Sequence, residues 1–278
     1  MLTLTVLIEN ISLRDNLIPT KGLSILLEDG DERLLLDTGT DGAFLKNAKA
    51  LGISLNDIDQ IALSHGHYDH AGGIPALCEL FADRAQQPTL TCHPDCFIER
   101  HLGKLTGGQP VLVRKLDAGL DEGTVRKCFN VYETKEPQPI GSKFLFLGEI
   151  PRNSNFKGCG AFGIAKHEGK FVDDFLYDDT GIVWKGQDGL VIITGCSHSG
   201  ICNIIERAQE VTGEKRIAAI VGGLHLHAAS IPHLYQIRRF FKQVGVQRSH
   251  ACHCTGKWGA LWLPDNKPIT TGDVLTFK

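Results

Sequence analysis

Between residues 63 and 73 the chain reads LSHGHYDHAGG, which puts three histidines and an aspartate into the six positions 65–70. In extended backbone, residues two apart project to the same side, so His65 and His67 can grip one ion together. Asp69 and His70, where the chain begins to turn, then offer a carboxylate and an imidazole to a neighbouring position. Nitrogen and oxygen donors in that mix suit zinc, or iron or manganese in a similar cavity. A lone histidine is more often structural or solvated, but a cluster of this density points to metal. Three more histidines stand at what read as strand ends: His198 in GCSHSG, His225 in GGLHL and His253 in HACHCTG.

Such groups need elements that deliver them to one place. DQIALSH (59–65) reads as a short buried strand running into the histidine loop. GGIPALCELFADR (72–84) reads as a helix with Pro75 tolerated in its first turn. A strand, a polar loop and a helix in that order place polar groups at a strand's C-terminal end, where open α/β sheets collect chemistry. Upstream, LTLTVLIEN (2–10), GLSILLEDG (22–30) and ERLLLDTG (32–39) read as strands, the last two as a hairpin around Asp29-Gly30. AFLKNAKALG (43–52) has helical periodicity. Downstream, GLVIITG, RIAAIVGGLHL and SHACHCTG read as strands, with helices over 203–211 and 231–245. From 85 to 190 the signal weakens to short strands and long polar connections. Within it PRNSNFKGCGAFG (151–163) reads as a long glycine-rich loop, a size that tends to be functional.

Bulk properties bound the function classes. At 278 residues, 42% hydrophobic and 22% charged, the chain suits a globular domain. A net charge of −3 gives no electrostatic case for nucleic acid or an anionic membrane, and no stretch approaches the ~20 apolar residues of a membrane helix. MLTLTVLIEN alternates like a strand and lacks the charged start of a signal peptide. The nine cysteines are scattered without a disulfide-like framework, so they are read as reduced thiols in a cytoplasmic protein. Oligomeric state is left open.

The H-x-H-x-D-H run at 65–70 resembles the signature of the metallo-β-lactamase superfamily, and LLLDTG with Asp37 resembles its first motif. GEIPR (148–152), the stretch 175–205, VGGLHL (221–226) and HCTG (253–256) are similar to its dihydropterin-ribofuranosylaminobenzene-phosphate synthase-like branch. The resemblance covers nearly the whole chain. It implies a four-layer αββα sandwich over 1–278, a single domain with a substrate-covering insertion within 85–190. It implies two divalent transition-metal ions, zinc above all, with iron or manganese as alternatives. His65, His67 and His198 would hold the first ion, and Asp69, His70 and His253 the second. Asp37 would steady the histidine loop without touching metal. Most dinuclear members carry a bridging aspartate where this chain has only glycines and His225, so the site should be more positive. It should prefer a small anionic substrate or hold its second ion loosely. His225 would be a ligand or a substrate-facing donor.

A bound divalent ion lowers the pKa of water from about 15.7 toward ~7, with Asp69 orienting that water as the catalytic carboxylate. The expected activity is metal-dependent hydrolysis of a phosphate ester or another anionic metabolite. The alternatives are a synthase joining a dihydropterin to an aminobenzene-ribofuranosyl phosphate, and a metal-binding or sensing protein without catalysis. Oxygen-reducing diiron chemistry is disfavoured, because those relatives carry glutamate where this chain has His67. Asn155 and Lys157 in the glycine-rich loop, and Asp178 and Asp179, are expected to face substrate. The loop itself is expected to play no part in holding metal. Cys252 and Cys254, facing away from His253 in a strand, are expected to be packing thiols. Cys196 projects to the same side as His198.

Overall fold

The structure is a computed structural model that describes residues 1–152, 156 and 158–278. Leucine triplets explain its layering. In the strands Ser24–Asp29 and Glu32–Leu36, Ile25, Leu27, Leu34 and Leu36 face one core, while Leu26 and Leu35 between them face another. Strands buried on both faces belong in the middle of a sandwich. Seven strands form the first sheet, in the order Val274–Phe277, Leu2–Ile8, Ser24–Asp29, Glu32–Leu36, Gln60–Ala62, Thr89–Cys92 and Asn130–Glu133. Six form the second: Ser249–Cys252, Ile217–Gly223, Gly189–Thr194, Gly181–Gly186, Phe144–Phe146 and Gln138–Ile140.

The core between the sheets joins Leu4, Val6, Ile25 and Leu36 of the first to Phe146, Ile182, Val191, Ile193 and Val221 of the second. Helices Ala43–Ala50, Ile74–Leu80 and Glu122–Cys128 cover the outside of the first sheet through Phe44, Ala48, Leu77 and Val125. Helices Ile201–Thr212 and Ile231–Val244 cover the second through Ile204, Ile205, Leu234, Ile237 and Phe241. This is the αββα sandwich that the resemblance implies.

Parallel pairing gives the site its place. Glu32–Leu36, Gln60–Ala62 and Thr89–Cys92 run parallel in the first sheet, as do Gly189–Thr194, Ile217–Gly223 and Ser249–Cys252 in the second. Their C-terminal ends therefore open at a common edge, and the histidines follow those ends.

The interval 85–190 builds much of the sandwich itself. Thr89–Cys92 and Asn130–Glu133 complete the first sheet, and Gln138–Ile140, Phe144–Phe146 and Gly181–Gly186 build the second. A separate four-stranded sheet, Lys170–Asp173, Ile164–His167, Arg100–Thr106 and Gln109–Lys115, lies outside the sandwich.

The reading of nine reduced thiols fails at one pair. Cys78 and Cys128 form a disulfide with Cα atoms 5.3 Å apart, because Ile74–Leu80 and Glu122–Cys128 pack side by side on the same sheet face. The other seven cysteines are free. Among the described residues no helix is long and apolar enough to cross a membrane.

Candidate metal centre

Asp37, at the end of Glu32–Leu36, holds a left-handed backbone with φ 58°. Its buried carboxylate accepts three hydrogen bonds: Ser64 N–H and Ser64 Oγ–H at 2.7 Å each, and His70 Nδ1–H at 2.7 Å. Having donated to Asp37, the Ser64 hydroxyl accepts from His65 Nδ1–H at 2.9 Å. On the other sheet, His253 Nδ1–H donates to Asn10 Oδ1 at 3.0 Å, an oxygen that also accepts Gly22 N–H. Each of these three rings is thus held by its Nδ1 side and presents Nε2 inward, the arrangement by which outer partners fix a ligand's tautomer. Asp37 thus ties Ser64 and His70 together.

The inward nitrogens meet at short range. His65 Nε2 lies 3.1 Å from His67 Nδ1, and His70 Nε2 lies 3.2 Å from His253 Nε2 and from Cys196 Sγ. For His65 and His253 the Nδ1 proton is committed to the far side, so their Nε2 lone pairs point inward at the cluster. Among the described residues His67 Nε2, both ring nitrogens of His198 and Nδ1 of His225 are buried without a partner, a condition that costs about 1–3 kcal/mol per group. Cations among these rings would give one nitrogen of His198 and the inward nitrogens of its neighbours a partner. The residues therefore fit a metal.

Burial, reinforced by neighbouring imidazoles and Arg100, holds His65, His67 and His198 well below the ordinary histidine value. They are neutral at pH 7, as ligands must be. Burial would depress His70 too, but the Asp37 carboxylate beside it prevails and pushes it up to about 9.

The loop is seated by a buried ion pair that the sequence did not disclose. Gly66 N–H donates to Asp178 Oδ2 at 2.8 Å, and Arg100 reaches Asp178 Oδ1 and Asp174 Oδ2 at 2.8 Å each. A side chain at position 66 has no room, since a Cβ there would stand 2.0 Å from the Cys96 carbonyl oxygen. Arg100 is 1% exposed and Asp178 0%, and burial pushes the Asp178 carboxyl up to about 6 against the pull of Arg100. Asp178 and Asp179 therefore do not face substrate. Asp179 is equally buried and accepts from Ser199 N–H and Oγ–H, steadying the chain after His198. Both carboxylates are spent on the loops that carry histidines.

The second-sheet half is shaped by backbone. Beyond Gly189–Thr194 the chain passes Gly195, whose imagined Cβ would stand 1.9 Å from Ser64 Oγ, so the two sheets' loops touch there. Ser197, His225 and His253 all take positive φ, at 62°, 49° and 52°. The His225 ring lies 4.2 Å from that of His198, centre to centre. At His253 the strand gives way to a 3₁₀ turn, and this overturns the expectation for Cys254. Its sulfur turns inward, accepts His225 N–H at 3.3 Å and lines the cavity. Cys252 does pack in the core between the sheets. The glycine-rich loop touches the histidines, since Cys159 N–H donates to the His198 carbonyl at 2.9 Å and Phe162 lies against the His198 and His225 rings. Asn155 and Lys157 lie outside the described residues.

Potential ligand atoms converge in groups: His65, Cys196 and His198; His70, Cys196 and His253; Cys159, His198 and His225; and Cys196, His225 and Cys254. Asp69 Oδ2 stands 3.9 Å from His253 Nε2, and His67 joins through its contact with His65. All six residues expected to hold metal, and His225, therefore meet at one edge of the sandwich. In front of them opens a cavity of about 340 Å³. Two of its lining residues, Lys21 and Arg114, had no signal in the sequence. They come from an irregular segment and from the extra sheet, and approach the Tyr68 ring to 5.4 and 5.8 Å.

Residues 17–85 match the family described as the metallo-beta-lactamase superfamily. The chain is 30% identical over 243 residues to the 7,8-dihydropterin-6-methyl-4-(beta-D-ribofuranosyl)-aminobenzene-5'-phosphate synthase of Methanocaldococcus jannaschii, covering 84% of this chain and 81% of that one. Among solved structures, Tm1679, described as a metal-dependent hydrolase of the beta-lactamase superfamily, superposes with a TM-score of 0.84 at 28% identity, over 100% of this chain and 99% of that one. A diphosphatase of the PhnP family shares the fold, with a TM-score of 0.55 at 13% identity over 99% of this chain and 96% of that one.

Proposed function

The chain belongs to the metallo-β-lactamase superfamily, and from that premise we propose that it is a metal-dependent hydrolase of a phosphate ester or another small anionic metabolite. The observation that carries the metal is the set of buried ring nitrogens turned toward one another, with those of His198 lacking any partner among the described residues. His65, His67 and His198 would hold one ion, and Asp69, His70 and His253 a second, with His225 beside the first. A divalent ion in such a place supplies a Lewis acid and acidifies water at neutral pH.

The chain's own groups do the rest. Burial pushes the Asp69 carboxyl up, but His70, His253, His67 and Lys21 outweigh it and hold it below its ordinary value. It stays ionised at neutral pH and can accept a hydrogen bond from water at the cavity wall. Lys21 Nζ, 2.9 Å from Tyr68 Oη and 3.9 Å from Asp69 Oδ2, puts a positive charge at the mouth. Arg114 adds another, with the planar fork that suits phosphate or carboxylate. Phe162 and the paired rings of His198 and His225 shut water from one side.

Elemental analysis of protein purified without added metal tests this first. Less than about half an equivalent of any transition metal, with no activation by zinc, manganese or iron, sinks the reading. Turnover on a panel of phosphoesters and lactones separates an enzyme from a metal-sensing protein.

The 30% identical synthase favours a second reading, condensation of a dihydropterin with an aminobenzene-ribofuranosyl phosphate. It uses the same anion-binding mouth, and fold alone does not choose between joining and cleaving. Incubation with a dihydropterin pyrophosphate and the aromatic amine decides. Joined product supports the synthase, and its absence alongside phosphoester turnover leaves hydrolysis.

A further inference from the structure

The chain lacks an acidic residue where Ile217–Gly223 ends, since that strand closes on Gly222 and Gly223. Yet the space between the two histidine groups is filled. Cys196 Sγ belongs both to the group with His65 and His198 and to the group with His70 and His253. No other residue is shared by those two groups. Its sulfur lies 3.2 Å from His70 Nε2, close to the separation of two donors on one tetrahedral ion with bonds of about 2.0–2.3 Å.

We propose that Cys196 is a thiolate ligand shared by the two metal positions, taking from the second sheet the place that a bridging carboxylate holds in most dinuclear relatives. The inference rests on the metal-dependent reading above and deepens it.

Three features of the chain support the assignment. Cys196 is buried beside His198, whose two ring nitrogens have no partner among the described residues. The left-handed turn at Ser197 (φ 62°) brings its sulfur into one ligand group with His198 and His65. Gly195 lets the strand end press against Ser64 and so carries the sulfur across to the first-sheet histidines. Binding is balanced simply: the thiol gives its proton to solvent as the sulfur–metal bonds form, and nothing is oxidised. With Cys196 as thiolate, two dications face two protein anions, Cys196 and Asp69. The second ion then needs no extra hydroxide to hold it, and the preference for anions falls to Lys21 and Arg114.

The test is spectroscopic and needs no substrate. Cobalt(II)-loaded protein should show a sulfur-to-cobalt charge-transfer band in the near ultraviolet, and X-ray absorption of the zinc form a sulfur scatterer at about 2.3 Å besides nitrogen and oxygen at about 2.0–2.1 Å. A Cys159→Ala/Cys254→Ala protein should keep both signals. Cys196→Ala should lose both and fall from about two bound ions to about one. Cys196→Asp should recover the second ion without the sulfur signals, which a merely packing role would not produce. If Cys196→Ala does not fold, the wild type and the double variant still decide. Two bound ions without a sulfur signal, or signals that vanish in the double variant, overturn the shared thiolate and leave the metal-dependent reading intact. No binding of cobalt or zinc at all overturns both.

Discussion

On the first sheet Asp37 alone accepts three hydrogen bonds that orient Ser64 and His70, and Arg100 with Asp178 seats the loop between them. On the second sheet neither ring nitrogen of His198 has a partner among the described residues; Ser197, His225 and His253 take positive φ, as Asp37 does, and the His253 ring is held by Asn10. Non-glycine residues in that region cost of order 1–3 kcal/mol each and persist only where the surroundings over-determine them. The first half is therefore ordered by its own charges before a cation arrives. The second half is ordered around the chain after His198 by Asp179 and at His253 by Asn10, with both His198 ring nitrogens left over for the cation. A preformed half and a waiting half give directed metal capture without burying a complete set of unpaired ligands.

Breaking the seat of the first half should have the largest effect. Arg100→Met leaves Asp174 and Asp178 buried without their cation, and should destabilise the fold by about 3–5 kcal/mol. Denaturant titration reads this, and a loss below about 1 kcal/mol would mean that the loop seats without the ion pair.

The next contrast sets the halves directly against each other. His198→Ala should weaken metal binding by more than the ~10–100-fold that an outer partner costs, while leaving metal-free stability little changed, since it removes two unpartnered nitrogens. Asp37→Asn should weaken metal binding by only ~10–100-fold yet lower metal-free stability by about 1–3 kcal/mol, because Ser64 and His70 lose acceptors. Metal titration and melting of the same two metal-free proteins check both. The opposite ranking in stability would erase the distinction between the halves.

Lys21→Ala, outside both halves, should raise KM for an anionic substrate roughly tenfold or less and leave kcat near that of the wild type. An effect on kcat alone would move Lys21 from the mouth to the chemistry.

The smallest effect concerns pH. The Asp178 carboxyl stands raised from 3.8 to about 6, so between those values the native state holds a proton that the unfolded chain has released. This group's favourable contribution is complete below 3.8 and is lost as pH rises through about 6. The difference in unfolding free energy between wild type and Asp178→Asn should therefore slope downward across that window and flatten above it. A difference that rises with pH would mean that Arg100 outweighs burial.

Much of the site was legible from local spacing. The H-x-H-x-D-H run, Asp37 after its leucines, and histidines at the ends of the strands reaching Thr194, Gly223 and Cys252 were readable because strand periodicity and strand-end position are properties of neighbouring residues. The same periodicity misled at Cys254, where the chain leaves extended geometry at His253. It did mark PVLVRKL as a short strand, which the structure has as Gln109–Lys115, but with every residue exposed it gave no buried face to place that strand.

By itself, the sequence determined which donor atoms exist and which strands bring them to an edge, since those follow from alternation of side chains over a few residues. Only the tertiary structure decided that Arg100 meets Asp178, that Cys78 meets Cys128, that Lys21 and Arg114 share a cavity, and that Cys196 stands in two ligand groups. Each of these pairs residues from different elements, and their distance is set by how the sheets stack and how loops cross the common edge, which no periodicity within a single strand encodes.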